Sequence, residues 1–241
     1  MTTFNRLYTL QFQTTNSFED NLSKLTSLIN QTQSNSIILA PEVCLSGFYY
    51  EDMEKASSFT TKAIEVLQPL SKERVIALTM IERVGKEYYN TLFVFGEGSI
   101  IHKQSKAKLF TIGGELEHFT SGAQSGIVTF DVNNVKIGAL ICFELRFPEL
   151  WEQLKGADII LIPAMWGKIR KNHFETLTKA LAITNQCYVI ASDSSNEDMA
   201  SSSAVISPFG EVTLDDELEI IECELDFHEI AKMRRYINVG I

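Results

Sequence analysis

Short apolar runs alternate along the chain with longer stretches in which apolar residues return every three or four positions, the pattern of an α/β protein. The runs predict strands at residues 7–12, 36–40, 75–80, 91–95, 126–132, 136–142, 158–163, 187–192, 202–207 and 218–224. β-Branched residues crowd Ser36-Ile37-Ile38-Leu39-Ala40 and Asp158-Ile159-Ile160-Leu161-Ile162, as strands buried on both faces require. Helices are expected at 17–34, 53–71, 148–155, 173–185 and 227–235. In the first, Phe18, Leu22, Leu25 and Leu28 or Ile29 share one face, and Asn16 or Ser17 caps the start. Asp131-Val132-Asn133-Asn134-Val135 and Ser207-Pro208-Phe209-Gly210-Glu211 carry hairpin turn chemistry, so antiparallel pairs should flank any parallel core in a mixed sheet. Two polar stretches, 103–124 and 193–202, break the alternation, and long loops within a compact domain are more often functional than decorative.

Composition narrows the class. With 241 residues, 45% hydrophobic, 22% charged and only 5 Pro, the chain is no disordered or repetitive polymer, and one domain spanning 1–241 is expected. A formal net charge of −10 repels phosphate backbones and acidic membrane surfaces, so neither nucleic acid nor membrane is an expected partner. The opening MTTFNRLYTLQF lacks the apolar core of a secretory signal, and no run reaches the roughly 18 apolar residues of a membrane span. A cytoplasmic location follows as the expectation. Cys44, Cys142, Cys187 and Cys223 are widely spaced, which favours free thiols over disulfides.

Three places could carry chemistry. The run Ile37 to Ala40 ends in Pro41 and at once presents Glu42, whose carboxylate at a strand end suits either a partly desolvated general base or a surface position. In Gly138-Ala139-Leu140-Ile141-Cys142-Phe143, an apolar strand delivers a thiol into a turn before a helix, either as a core residue or as a nucleophile beside backbone N–H groups. Lys103, Lys106 and Lys108 precede Leu109-Phe110 in the first long loop; such a cluster is ordinarily solvated, but an ammonium held near a thiol would lower its pKa and stabilise an oxyanion. The four histidines, His102, His118, His173 and His228, lack zinc-type spacing, so no metal site is expected.

Taken in order, Ala40-Pro41-Glu42 through Gly47-Phe48, Lys106-Ala107-Lys108-Leu109-Phe110 and Cys142-Phe143-Glu144-Leu145-Arg146-Phe147-Pro148-Glu149-Leu150 resemble the three signatures of the nitrilase superfamily of carbon-nitrogen hydrolases. Ile162 to Trp166 and Ala180 to Val189 resemble family segments as well. The resemblance implies an α/β fold of four layers, an αββα sandwich with two mixed β-sheets and helices outside. It also implies a homodimer or higher homo-oligomer formed through the helix after Cys142, and no cofactor. Residue by residue it makes Cys142 the nucleophile, Glu42 the general base and Lys106 the cation over the oxyanion. Counting seven positions back from Gly122 gives Glu115 as the second glutamate, with Glu117 as the rival.

On this reading the protein hydrolyses a non-peptide carbon-nitrogen bond of a small-molecule amide through a thioester, with the backbone N–H of Phe143 joining Lys106 at the oxyanion. The short length and the Glu115-Leu116-Glu117-His118-Phe119 loop resemble the omega-amidase-like branch, which acts on monoamides of small dicarboxylates. An anionic substrate needs a cation, for which Arg170 or Lys168 are candidates, and Trp166 is a candidate pocket wall. Nitriles, N-carbamoyl amino acids and deaminated glutathione are alternative substrates; a catalytically silent binding protein and a Cys-His hydrolase using His118 or His173 are alternative readings. The chain departs from the family pattern at Lys179 and Thr184, where an arginine and a glutamate are usual, at Asp193-Ser194-Ser195-Asn196, and in a tail that stops soon after Arg234-Arg235-Tyr236.

Overall fold

The computed structural model describes residues 4–241. Twelve strands among them form two six-stranded sheets. The first sheet has the order β12-β1-β2-β3-β4-β5, built from β1 (Arg6–Leu10), β2 (Ser36–Leu39), β3 (Val75–Val84), β4 (Glu87–Gly96), β5 (Ser99–Ser105) and β12 (Ile220–Glu224). The second has the order β11-β10-β9-β8-β7-β6, from β6 (Phe130–Val132), β7 (Val135–Ala139), β8 (Ile159–Pro163), β9 (Tyr188–Ser192), β10 (Ala204–Ile206) and β11 (Val212–Leu214). In each sheet three parallel strands, β1, β2 and β3 or β7, β8 and β9, sit at the centre with antiparallel strands outside them. The expected mixed sheets are therefore present, in two copies.

The sheets face each other. Thr9 Oγ1 donates to the Ala191 carbonyl at 2.7 Å and Ser192 Oγ to the Leu10 carbonyl at 2.6 Å, pinning β1 to β9 across the interface. Every residue of β2, β8 and β9 is buried, which accounts for sequences that are apolar apart from the terminal Ser36 and Ser192. Helices α1 (Phe18–Asn30) and α2 (Met53–Leu70) lie on the first sheet, and α5 (Lys171–Asn185) covers β9 and β10 of the second. Short helices α3 (Glu115–His118) and α4 (Pro148–Gln153) follow the helical turns Thr111–Gly113 and Cys142–Arg146, and α6 (Phe227–Tyr236) is the last helix of the described chain. The Ser17 side chain caps α1 by accepting from the Asp20 N–H at 3.2 Å, and Phe18, Leu22, Leu25, Leu28 and Ile29 are its buried face, as the spacing predicts. No helix among the described residues is long and apolar enough to cross a membrane.

Several expectations need correction. The strand read at 126–132 is only Phe130–Val132, because Gln124–Gly126 forms a single helical turn. The strand read at 136–142 ends at Ala139, and Cys142 opens a one-turn helix, Cys142–Arg146. The stretch 103–124 is not all loop: it begins inside β5, an exposed edge strand whose polar residues hide its periodicity. The edge strand β11 is wholly exposed and has no expected counterpart for the same reason. Both hairpins occur where turn chemistry places them, with Asn133 at φ 52°, Asn134 at φ 65° and Gly210 at φ 79°.

Candidate active site

The chain ends of β2, β5 and β7 meet at one rim of the sandwich. Glu42 follows β2 and is fully buried, not partly solvated as a strand-end position suggests. Next to it Val43 has φ 40°, a rare conformation for a β-branched residue, held by a hydrogen bond from its N–H to Thr79 Oγ1 at 2.7 Å. Lys106 follows β5 and is also buried. Its Nζ lies 2.7 Å from Glu42 Oε1 and 2.7 Å from Glu115 Oε1. Burial alone would drive the Lys106 ammonium towards deprotonation, but the Glu42 carboxylate, the Cys142 sulfur and the Glu115 carboxylate outweigh it and hold its pKa above the ordinary value.

Cys142 sits across from this pair on the second sheet, at φ 49° in its one-turn helix. Burial first, and the Glu42 charge second, push its thiol well above the ordinary range; the Lys106 ammonium and the Met165 N–H pull the other way without prevailing. Both leading influences favour the neutral thiol. Glu42 Oε1 accepts from Lys106 Nζ and from Asn90 Nδ2 at 2.8 Å, and its Oε2 from the Met165 N–H at 3.2 Å. Glu115 Oε2 accepts from the Phe110 N–H at 3.2 Å, and burial raises the pKa of this carboxyl against the opposing pull of Lys106.

Of the three candidate lysines only Lys106 enters the cluster. Lys103 pairs with Glu82 on the edge of the sheet, and Lys108 reaches Glu149 at 3.7 Å. Glu117, the rival of Glu115, is exposed. Among the histidines, His118 stacks on Tyr50 with ring centroids 4.1 Å apart and His173 Nδ1 lies 3.2 Å from Arg146 Nη2; neither bonds to the Cys142 thiol.

A narrow cleft of about 30 Å³, lined in part by Cys142, opens at this rim. Phe143, Trp166 and Arg170, all singled out from the sequence, line it, together with Phe110, Arg146 and Met165, which were not. Trp166 is fixed on two sides: its N–H donates to Asp193 Oδ1 at 2.7 Å and its indole Nε1–H to the Arg170 carbonyl at 2.9 Å. The Arg146 guanidinium lies over the Trp166 ring, 4.7 Å from its centroid. Lys168 turns away, towards the Glu197 carbonyl at 3.5 Å. The departure at Asp193 to Asn196 braces this wall. Asp193, whose carboxyl burial pushes up to about 7, also accepts from the Ser201 N–H at 3.1 Å, while Asn196 pairs with the Thr14 backbone. At the other departure Lys179 and Thr184 are both exposed.

Asn90 and Arg146 were legible in principle. Asn90 is a polar residue opening an apolar strand, and Arg146 belongs to the cysteine signature, but neither position says what the side chain touches.

The chain matches the family model described as carbon-nitrogen hydrolase over residues 7–235. It is 30% identical over 235 residues to 2-oxoglutaramate amidase of Bacillus subtilis (strain 168), covering 91% of this chain and 90% of that one. It is likewise 30% identical over 261 residues to omega-amidase NIT2 of Mus musculus, covering 99% and 94%. Among solved structures, Nit3 of Saccharomyces cerevisiae, a member of branch 10 of the nitrilase superfamily, superimposes with a TM-score of 0.86 at 26% identity over 98% of this chain and 95% of that one. Signatures, double sheet and matches agree: the chain belongs to the carbon-nitrogen hydrolase family, as an amidase-type enzyme of the nitrilase superfamily.

Proposed function

We propose that the enzyme hydrolyses small ω-amides that carry an anionic far end, through a thioester on Cys142. The observation that carries this reading is the buried Lys106 ammonium held 2.7 Å from both Glu42 and Glu115 and within electrostatic reach of Cys142, which lines the cleft. Cys142 Sγ attacks the amide carbon while its proton passes to Glu42, and the new oxyanion forms beside the Lys106 ammonium and the Phe143 backbone N–H. The C–N bond then breaks, Glu42 returns its proton to the nitrogen, and ammonia leaves. Water adds to the thioester with Glu42 again as base, releasing the carboxylic acid and restoring the thiol. Glu115 keeps the ammonium oriented and balances its charge.

The cleft supports the anionic end. Arg146 and Arg170 both line it, and among the described residues neither makes an ion pair with a carboxylate. Two unneutralised guanidinium groups beside a small apolar slot favour a ligand bearing a carboxylate, which they can hold bidentately. The relatives named for 2-oxoglutaramate and omega-amide hydrolysis point to monoamides of small dicarboxylates. We read the working form as a homo-oligomer, as the family resemblance implies.

The test is ammonia release from a panel containing the monoamides of succinate and 2-oxoglutarate, neutral amides of matched length, a nitrile and a carbamoyl amino acid. The acidic monoamides should exceed the neutral amides by about tenfold or more, the worth of one charged contact. A carbamoyl amino acid or a nitrile as best substrate would replace the ω-amide reading. Silence across the panel would make the chain a binding protein on the same scaffold.

A further inference from the structure

Glu144 is a buried carboxylate that the proposed chemistry leaves unused. It lies two residues beyond Cys142, is 0% exposed, makes no ion pair and does not line the cleft. Its two oxygens reach in different directions. Oε1 accepts from the Ala107 N–H at 2.6 Å, and Oε2 from the Ile141 N–H at 2.6 Å. Ala107 is bonded covalently to Lys106, and Ile141 to Cys142. These neighbours belong to different sheets: Lys106 leaves β5 of the first, Cys142 leaves β7 of the second. One carboxylate thus spans the two strand ends whose side chains must meet. On the other side of Lys106, Gln104 Nε2 donates to the Ala139 carbonyl at 3.1 Å, a second tie between the same two strands.

We propose that Glu144 is a positioning residue: it straps the Lys106 strand end to the nucleophile turn and so sets the separation of the Lys106 ammonium from the Cys142 sulfur. The inference rests on the catalytic reading of Lys106 and Cys142 above. Only an acceptor on both oxygens can satisfy both N–H groups, because an amide in its place turns an NH2 towards one of them and leaves that donor buried without a partner. The strand end can then relieve the clash only by moving Lys106, and a displacement of an ångström at the reacting centre costs about 100-fold in rate. Burial raises the Glu144 carboxyl to about 7, opposed by the N–H groups of Ile141 and Ala107, the Lys106 ammonium and the N–H of Lys108.

The experiment compares the full-length protein with Glu144→Gln and Glu144→Asp on the best amide of the panel, alongside thermal unfolding and the rate at which iodoacetamide labels Cys142. Glu144→Gln should lose about 100-fold in kcat while KM stays within about twofold, and label Cys142 with an altered pH profile. Glu144→Asp, which keeps both acceptors, should recover about tenfold or more of that loss. A folded Glu144→Gln that keeps its kcat and labelling profile, losing only thermal stability, overturns the proposal. If Glu144→Gln does not fold, Glu144→Asp decides: with one methylene fewer between the two N–H groups it should lower kcat by about tenfold at near-constant KM, and a folded variant with unchanged kcat overturns the proposal. Failure of the catalytic reading itself looks different, since Cys142→Ala would then retain turnover.

Discussion

At the scale of residues, the site is a balance of buried charges. Two carboxylates and one ammonium are buried together, and the ammonium is the piece the other two cannot lose. Lys106→Met leaves Glu42 and Glu115 buried with no cation between them. It should abolish turnover and lower stability by about 3 to 5 kcal/mol, readable from urea unfolding. Glu42→Gln should fold and bind but lose about 100- to 10,000-fold in kcat, because the neutral thiol then has no base. Asp193 makes a prediction in pH. Its carboxyl is raised from an ordinary 3.8 to about 7, so between those values the folded chain holds a proton that the unfolded chain releases. The contribution of Asp193 to stability is therefore greatest below about pH 4, falls as pH rises towards 7, and is constant above. Asp193→Asn should flatten that part of the melting-temperature profile between pH 4 and 7; an unchanged slope would contradict the account. Glu42, Lys106, Glu115 and Cys142 could be singled out from the sequence because each sits at a fixed spacing within a signature. The Met165 N–H, a backbone donor, and Asn90, which acts from another strand, carry no such mark.

At the scale of elements, strands with buried faces announce themselves and edges do not. β2, β8 and β9 are apolar but for a serine at one end of β2 and of β9 because both faces are covered, and their positions follow from composition alone. β5 and β11 are edges whose outward residues are polar or isolated, so their sequences carry no period to read. The same limit explains why Lys106 looks like a loop residue although it directly continues a strand. Gly122 shows how tightly that strand end is held: its N–H donates to the Lys106 carbonyl at 2.8 Å, and a Cβ there would lie 2.3 Å from the Ser105 carbonyl oxygen. Gly122→Ala must push this segment off the strand. We expect a loss of about 1 to 3 kcal/mol in urea unfolding, accompanied by a fall in kcat that a substitution remote from Lys106 of equal thermal cost does not show.

At the scale of the whole molecule, the fold exists to bring two sheet ends together. The first sheet supplies Glu42 and Lys106, the second supplies Cys142, and the contacts Glu42 to Met165 and Glu144 to Ala107 bridge them. Self-association, expected from the family resemblance, should give twice the mass of the chain or more in sedimentation at micromolar concentration; a monomer with full activity would remove the oligomer from the account. The outward residues of α4, Glu149, Glu152 and Gln153, are polar, whereas Ile183, Phe209, Val212 and Leu214 are exposed around β11 and the end of α5. The assembly as a whole stands on one sulfur. The measurement that reaches it is the activity remaining as iodoacetamide modifies the protein, plotted against the fraction of Cys142 alkylated by peptide mass spectrometry. Activity should fall in proportion and vanish at one label on Cys142, with the best acidic monoamide slowing the reaction; a chain fully alkylated at Cys142 that still releases ammonia at its original rate would contradict the mechanism.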